Sequence, residues 1–114
     1  MTMIKNHTRK IILANHFVVC NSLFSKARGM MLRKKPVPMI FTFSKEKKVS
    51  LHMFFVFFPI DVLFLGADKK IIEIKERFKP WTFYRPKSKA LYIVELPAGI
   101  VRRTRTKVGD KIEF

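Results

Sequence analysis

The run LHMFFVFFPIDVLFL, residues 51–65, is apolar at nearly every position, so any fold of this chain must bury most of it. Two residues interrupt it. Pro59 has no backbone donor and divides the run into two strand-length pieces. Asp61 places a carboxylate among hydrocarbon, which is costly unless it is hydrogen-bonded or paired. Asp61 therefore has two readings. It is a structural carboxylate that caps backbone donors after Pro59 or pairs with Arg28 or Arg33. Alternatively, it is a raised-pKa group in a cleft, usable as a general base or cation ligand.

Short strands punctuated by turns account for most of the remainder. Residues 10–14 and 17–20 are β-branched and flank a turn at Asn15-His16. A helix is expected over residues 22–35: Asn21 or Ser22 suits the N-cap, and Leu23, Phe24, Ala27, Met30 and Met31 follow at helical spacing. Pro36 and Pro38 end it. Strands are expected over 39–43, 49–58 and 60–65, then over 70–76 with Ile72 and Ile74 facing inward. Residues 77–88 form a long connection, 91–96 a buried strand, 100–106 a basic helical turn and 111–114 a last strand. The expected fold is mainly β, a small β-barrel or β-sandwich with one short α-helix near the N-terminus, in a single domain over 1–114. Residues 54–58 would be an aggregation hazard at an open strand edge, which predicts a place inside the sheet.

Charge is the compositional outlier. Lys and Arg number 24 against 8 acidic residues in a chain of 114, a formal net charge of +16. Such an excess attracts polyanions, nucleic acid among them. The cations are spread along the whole chain, so a diffuse solvated basic surface is the competing explanation. Cys20 is the single cysteine, so no intrachain disulfide forms. The 51–65 run is too short to span a bilayer, and the basic, apolar N-terminal stretch lacks a small-residue cleavage site. A soluble, cytoplasmic protein is expected.

Five stretches carry a family resemblance: ARGMMLR (27–33), PMIFTF (38–43), SLHMFFVFFPIDVLFL (50–65), YIVELPAG (92–99) and VGDKI (108–112). In this order and spacing the chain resembles the family called domain of unknown function 192. The resemblance implies a compact, mostly β domain and no activity. It also exposes a departure. Where that family typically reads Phe-Trp-Met-Lys-Asn-Thr before the Pro-Leu-Asp, this chain has Leu51, His52, Met53, Phe54, Phe55 and Val56. Any site that relatives build from the polar Lys-Asn-Thr is lost or rebuilt here. Asp61, Arg28, Gly29, Glu95, Gly99, Gly109 and Asp110 keep the pattern.

Candidate site residues fall into two groups. The first is a cleft around Asp61, with His52, Glu95 and Arg28 nearby, for a small ligand or a reaction. Glu95 stands in the apolar strand YIVELP, where an outward salt bridge is the simpler role. The second is a nucleic-acid surface, in which Trp81 and Tyr84 alternate with Arg77, Lys79, Arg85 and Lys87, and Arg102, Arg103 and Arg105 extend the patch. The simpler reading of Trp81 and Phe83 is a plug at one end of the barrel. His7, His16 and His52 lack ligand spacing, so no metal is expected, and no phosphate loop, nucleophile elbow or triad calls for a cofactor. The favoured function is a non-enzymatic module binding a polyanion such as nucleic acid. The alternative is a small-ligand-binding protein or enzyme using the Asp61 cleft. Assembly through a protein partner is the third possibility, indicated by an exposed apolar patch.

Overall fold

The computed structural model of the chain describes residues 2–22 and 29–114. Among the described residues, ten strands and one short helix follow in the order β1 (Ile4–Asn6), β2 (Ile11–Ala14), β3 (Val18–Cys20), β4 (Met39–Lys47), β5 (Leu51–His52), β6 (Ile60–Leu65), β7 (Ile71–Phe78), β8 (Phe83–Tyr84), β9 (Ala90–Pro97), α1 (Ile100–Thr104) and β10 (Ile112–Glu113). A five-stranded sheet, ordered β3-β4-β9-β6-β7, is the centre of the fold. A three-stranded sheet, β10-β1-β2, and a two-stranded ribbon, β5-β8, complete it. The pairing is antiparallel except between β3 and β4.

The central sheet is buried on both faces, and side-chain alternation divides its strands between two cores. Met39, Phe41, Val62, Phe64 and Ile93 face one core, with Met53, Val56 and the β5-β8 residues Leu51 and Tyr84. Ile40, Leu63, Leu65, Val94 and Leu96 face the other, with Ile4, Leu13, Ile112 and Val101 of α1. All six residues of β6 are buried, which is why its sequence shows no polar-apolar alternation.

The mainly-β expectation holds, with corrections in detail. Among the described residues the strand pairings do not close a barrel: the central sheet ends in β3 and β7, and the start of β7 meets the chain before β10 through the isolated Lys70–Lys111 bridge. Residues 23–28 of the expected N-terminal helix lie outside the described residues. Residues 29–35 are turns and bends, and the helix of the described residues is α1, near the C-terminus. Proline at 36 and 38 and Gly29 at φ 47° oppose a continuous helix there. Strand β7 takes a register shift opposite Phe64 and Leu65, so Ile71 is buried and Ile72 is exposed, the reverse of simple alternation from 72.

The largest correction concerns residues 53–58. They are not a strand. Phe55 takes a left-handed conformation (φ 61°), and the Met53 carbonyl accepts the N–H groups of both Val56 and Trp81. Phe54, Phe55 and Phe57 point outward, 45–60% exposed, while Met53 and Val56 turn into the core. A left-handed turn presents no row of free strand donors. The segment therefore escapes edge-to-edge pairing by its backbone conformation, without being covered.

Candidate functional site

Asp61 is wholly buried on the face of β6 that carries the second core. Its Oδ1 accepts the Arg77 N–H at 3.0 Å, and its Oδ2 accepts those of Gly99 (3.0 Å) and Val101 (2.9 Å). Gly99, at φ 96°, is the N-cap of α1 and has no side chain to cap it. Asp61 supplies that cap from another strand, satisfying amides the helix leaves free. One carboxylate thereby ties the end of β7, which carries Arg77 and is followed by Lys79, to the helix that carries Arg102 and Arg103. Arg77, Lys79 and Gly99 line one shallow depression together with Pro59, Pro80 and Ala98. Arg102 and Arg105 line a second with Glu76.

Next to the first depression the outward rings form a platform. Trp81 is half-exposed, its ring centroid 5.0 Å from that of Phe55 and 6.2 Å from that of Phe57, both edge-on. Trp81, like Phe55, has a left-handed backbone (φ 64°), and its N–H is tied to the Met53 carbonyl at 2.8 Å. Both aromatic residues thus hold a backbone conformation that L side chains disfavour, with their rings toward solvent. Phe83 is 63% exposed, its ring 5.9 Å from the Arg85 guanidinium, and it pairs across the ribbon with His52, whose ring stacks on Phe54. Arg77, Lys79, Arg85 and Lys87 are exposed, and the ion pairs among the described residues, His7–Glu113 and Arg9–Asp110, involve none of them.

Tyr84 stands apart from the other aromatic candidates. Its hydroxyl donates to Glu73, its ring contacts Phe64 and Phe78, and the hydrogen bond to Glu73 pushes its pKa up to about 12. Glu73 also accepts the Lys87 and Ser88 N–H groups, so this cluster fixes the 84–88 loop to β7. Trp81 and Phe83 do not plug a barrel end: both rings are outside.

Asp61 and Glu95 do not converge. Alternation puts them on opposite faces of the central sheet. Glu95, 7% exposed, lines a cavity of about 340 Å3 with Met30, Met31, Phe41, Phe43, Met53 and Ile93, and with Lys47, Ser50 and His52 on exposed segments. Burial raises the Glu95 pKa to about 7. Cys20, on β3, has its thiol pushed up first by burial and then by the charge of Glu95, partly offset by Arg33. His52 is thus near Glu95 rather than Asp61, and Arg28 lies outside the described residues. Among the described residues no three His, Cys, Asp or Glu side chains are grouped to hold a metal, and no helix is long and apolar enough to cross a membrane.

Sequence reasoning missed Phe54, Phe55 and Phe57 as surface residues and Lys47 as a cavity residue. A signal for the former was present: five apolar residues with no alternation, four of them Phe, ahead of a proline. A half-buried strand would alternate.

A mainly-β protein with an open central sheet, an aromatic-cationic surface and a carboxylate-bearing cavity is the class these features define. The chain belongs to the family DUF192, described as Uncharacterized ACR, whose model matches residues 4–114. It is similar to uncharacterised UPF0127 proteins of archaea. These include one from Thermococcus sibiricus (32% identical, covering 98% of this chain and 74% of the other) and one from Pyrococcus horikoshii (31%, 98% of each). One from Pyrococcus furiosus is 40% identical over 75% of each chain. Two solved structures share the fold, each with a TM-score of 0.86. A Novosphingobium aromaticivorans protein of unknown function is 20% identical, covering 98% of this chain and 82% of its own. A Sinorhizobium meliloti protein described as a candidate transcription regulator is 23% identical, covering 97% of this chain and 89% of its own.

Proposed function

We propose that this protein is a non-enzymatic binding module for single-stranded nucleic acid. The carrying observation is the platform of Trp81, Phe55 and Phe57, all about half-exposed, with both phenylalanine rings edge-on to Trp81, on a stretch of chain that also carries the exposed cations Arg77, Lys79, Arg85 and Lys87. Bases stack on such rings whatever their identity, each contributing about 1–3 kcal/mol, while Lys and Arg hold the phosphates. Phe83 beside Arg85 extends the track, and Arg102, Arg103 and Arg105 continue it beyond Gly99. Asp61 acts here as a positioning residue: its three backbone bonds set the two cationic segments side by side. The Sinorhizobium protein's description as a candidate transcription regulator agrees with contact to nucleic acid, although that likeness is one of fold.

Trp81 is the single tryptophan of the chain, so its fluorescence reports the platform directly. Titration with a single-stranded oligothymidylate should quench it and shift the emission, and Phe57→Ala should weaken binding about tenfold. Dextran sulfate, a polyanion without bases, should leave the emission nearly unchanged. Oligothymidylate binding with no change at Trp81, or no binding at low salt, refutes the reading.

A further inference from the structure

Glu95 has no role in the surface just described, and its surroundings are unusual. It projects from the centre of β9 into the first core, beside Ile93 and Phe41. No hydrogen bond or ion pair reaches it among the described residues. Every side-chain nitrogen or oxygen fully shut off from solvent does have a partner. The unpartnered Glu95 oxygens are therefore not sealed in the interior: they face the cavity. A carboxylate in such a place is costly unless a group of opposite charge or a hydrogen-bond donor meets it.

The rest of the wall describes that group. Met30, Met31 and Met53 offer polarisable sulfur, and Phe41 and Phe43 offer ring faces. Aromatic faces and a carboxylate both attract a cation, and methionine sulfur favours an aromatic body. The fixed cation of the wall, Lys47, lies with its Nζ 4.9 Å from the centroid of Phe43, on an exposed part of β4 at the rim rather than against Glu95. About 340 Å3 suits a small ligand.

The geometry points to a binding site for a small apolar primary amine, its ammonium paired with Glu95 and its hydrocarbon or aromatic body held among Met30, Met31, Met53, Phe41 and Phe43. The site does not rest on the nucleic-acid reading, because its ligand meets Glu95 and side chains on one face of the central sheet, whereas the platform offers the outward rings of Trp81, Phe55 and Phe57; the two share only Met53, by its side chain in one and its carbonyl in the other. Among the described residues the charged and titratable groups lining it are Glu95 from β9, Lys47 from β4 and His52 from β5, and Cys20 of β3 feels the charges of both Glu95 and Arg33. The unoccupied pocket holds Glu95 partly protonated near neutrality, so amine binding releases a proton from it and strengthens as pH rises from 6 to 8, by about tenfold.

Isothermal titration of the intact protein with phenethylamine and with its neutral counterpart 2-phenylethanol tests this. The amine should bind at least tenfold more tightly than the alcohol at pH 8, and this preference should vanish in Glu95→Gln. Rim variant Val49→Phe, which leaves Glu95 in place and narrows the cavity, should weaken both ligands. It also serves as the deciding variant should Glu95→Gln fail to fold. Equal affinity for amine and alcohol in the wild type, an unchanged preference in Glu95→Gln, or no response to Val49→Phe overturns the proposal. Failure of the oligothymidylate titration leaves it standing, since neither assay reads the other's groups.

Discussion

Two carboxylates a strand apart have opposite fates, and hydrogen bonding is the reason. Asp61 receives three backbone amides, so Asp61→Asn sets an amide donor against donors it formerly accepted. With bonds to a charged group contributing about 1.5–3 kcal/mol each, the loss should be about 3 kcal/mol, or roughly a 10 °C fall in melting temperature. Glu95 receives none. Its pKa of about 7 against an ordinary 4.5 means that the folded state holds a proton that the unfolded state releases first. The stability tied to that proton is complete below pH 4.5 and is lost as pH rises to about 7. The total is about 3 kcal/mol, and Glu95→Gln should remove this slope and leave the protein more stable than wild type at pH 8. Urea midpoints measured from pH 4.5 to 8 check it. Asp110 acts in the opposite sense. Burial alone would raise its pKa, but bonds from Asn6, the Lys107 N–H and Arg9 outweigh it and hold it low, so its stabilisation is lost only as acid protonates it. The Asp61 position was legible in the sequence as a polar group that had to be satisfied. Its partners were not, because they lie 16, 38 and 40 residues away.

At the scale of elements, residues 53–58 decide the character of the surface. Hydrophobicity alone makes them a core strand, and that expectation fails because burial is a tertiary property. The ribbon of β5 and β8 and the Met53 carbonyl, which accepts both Val56 and Trp81, bend the chain into a turn. The left-handed backbone at Phe55 costs about 1–2 kcal/mol relative to glycine. Phe55→Gly should therefore leave stability unchanged or raise it by up to about 1 kcal/mol, while weakening oligothymidylate binding about tenfold. Thermal melting and Trp81 fluorescence read the two effects separately. Strand β6, by contrast, was readable to its ends: six apolar-flanked positions after a proline admit a two-sided burial and little else. The helical turn expected over 100–106 is found as α1, whereas the longer helix expected over 22–35 gives way to turns and bends at 29–35, where Leu32 and Gly29 take left-handed backbones.

For the whole molecule, the formal charge of +16 is left largely unneutralised inside the fold. Four phosphate contacts, one each from the exposed Arg77, Lys79, Arg85 and Lys87, predict a slope of about −3 for log affinity against log salt with a single strand, so a fourfold rise in salt should weaken binding about 50-fold. A slope near zero would mean that the rings act without the charges. The open sheet, with a core on each face, also explains how one small protein carries two separate features. The platform grows from loops at the ends of β5, β6 and β7, and the Glu95 cavity opens on one sheet face between β4, β9 and the 49–53 segment.

The sequence by itself determined the mainly-β class, the family, the buried central strand, the need to satisfy Asp61 and the cationic excess. Those properties follow from local periodicity, proline and net charge, which are written residue by residue. Only the tertiary structure decided that Asp61 caps a helix from a distant strand, that Glu95 faces a cavity on the opposite side of the sheet, and that three phenylalanines stand outside. Each of these depends on which segments meet across the fold, and a carboxylate's partners or a ring's exposure are set by those meetings rather than by its neighbours in the chain.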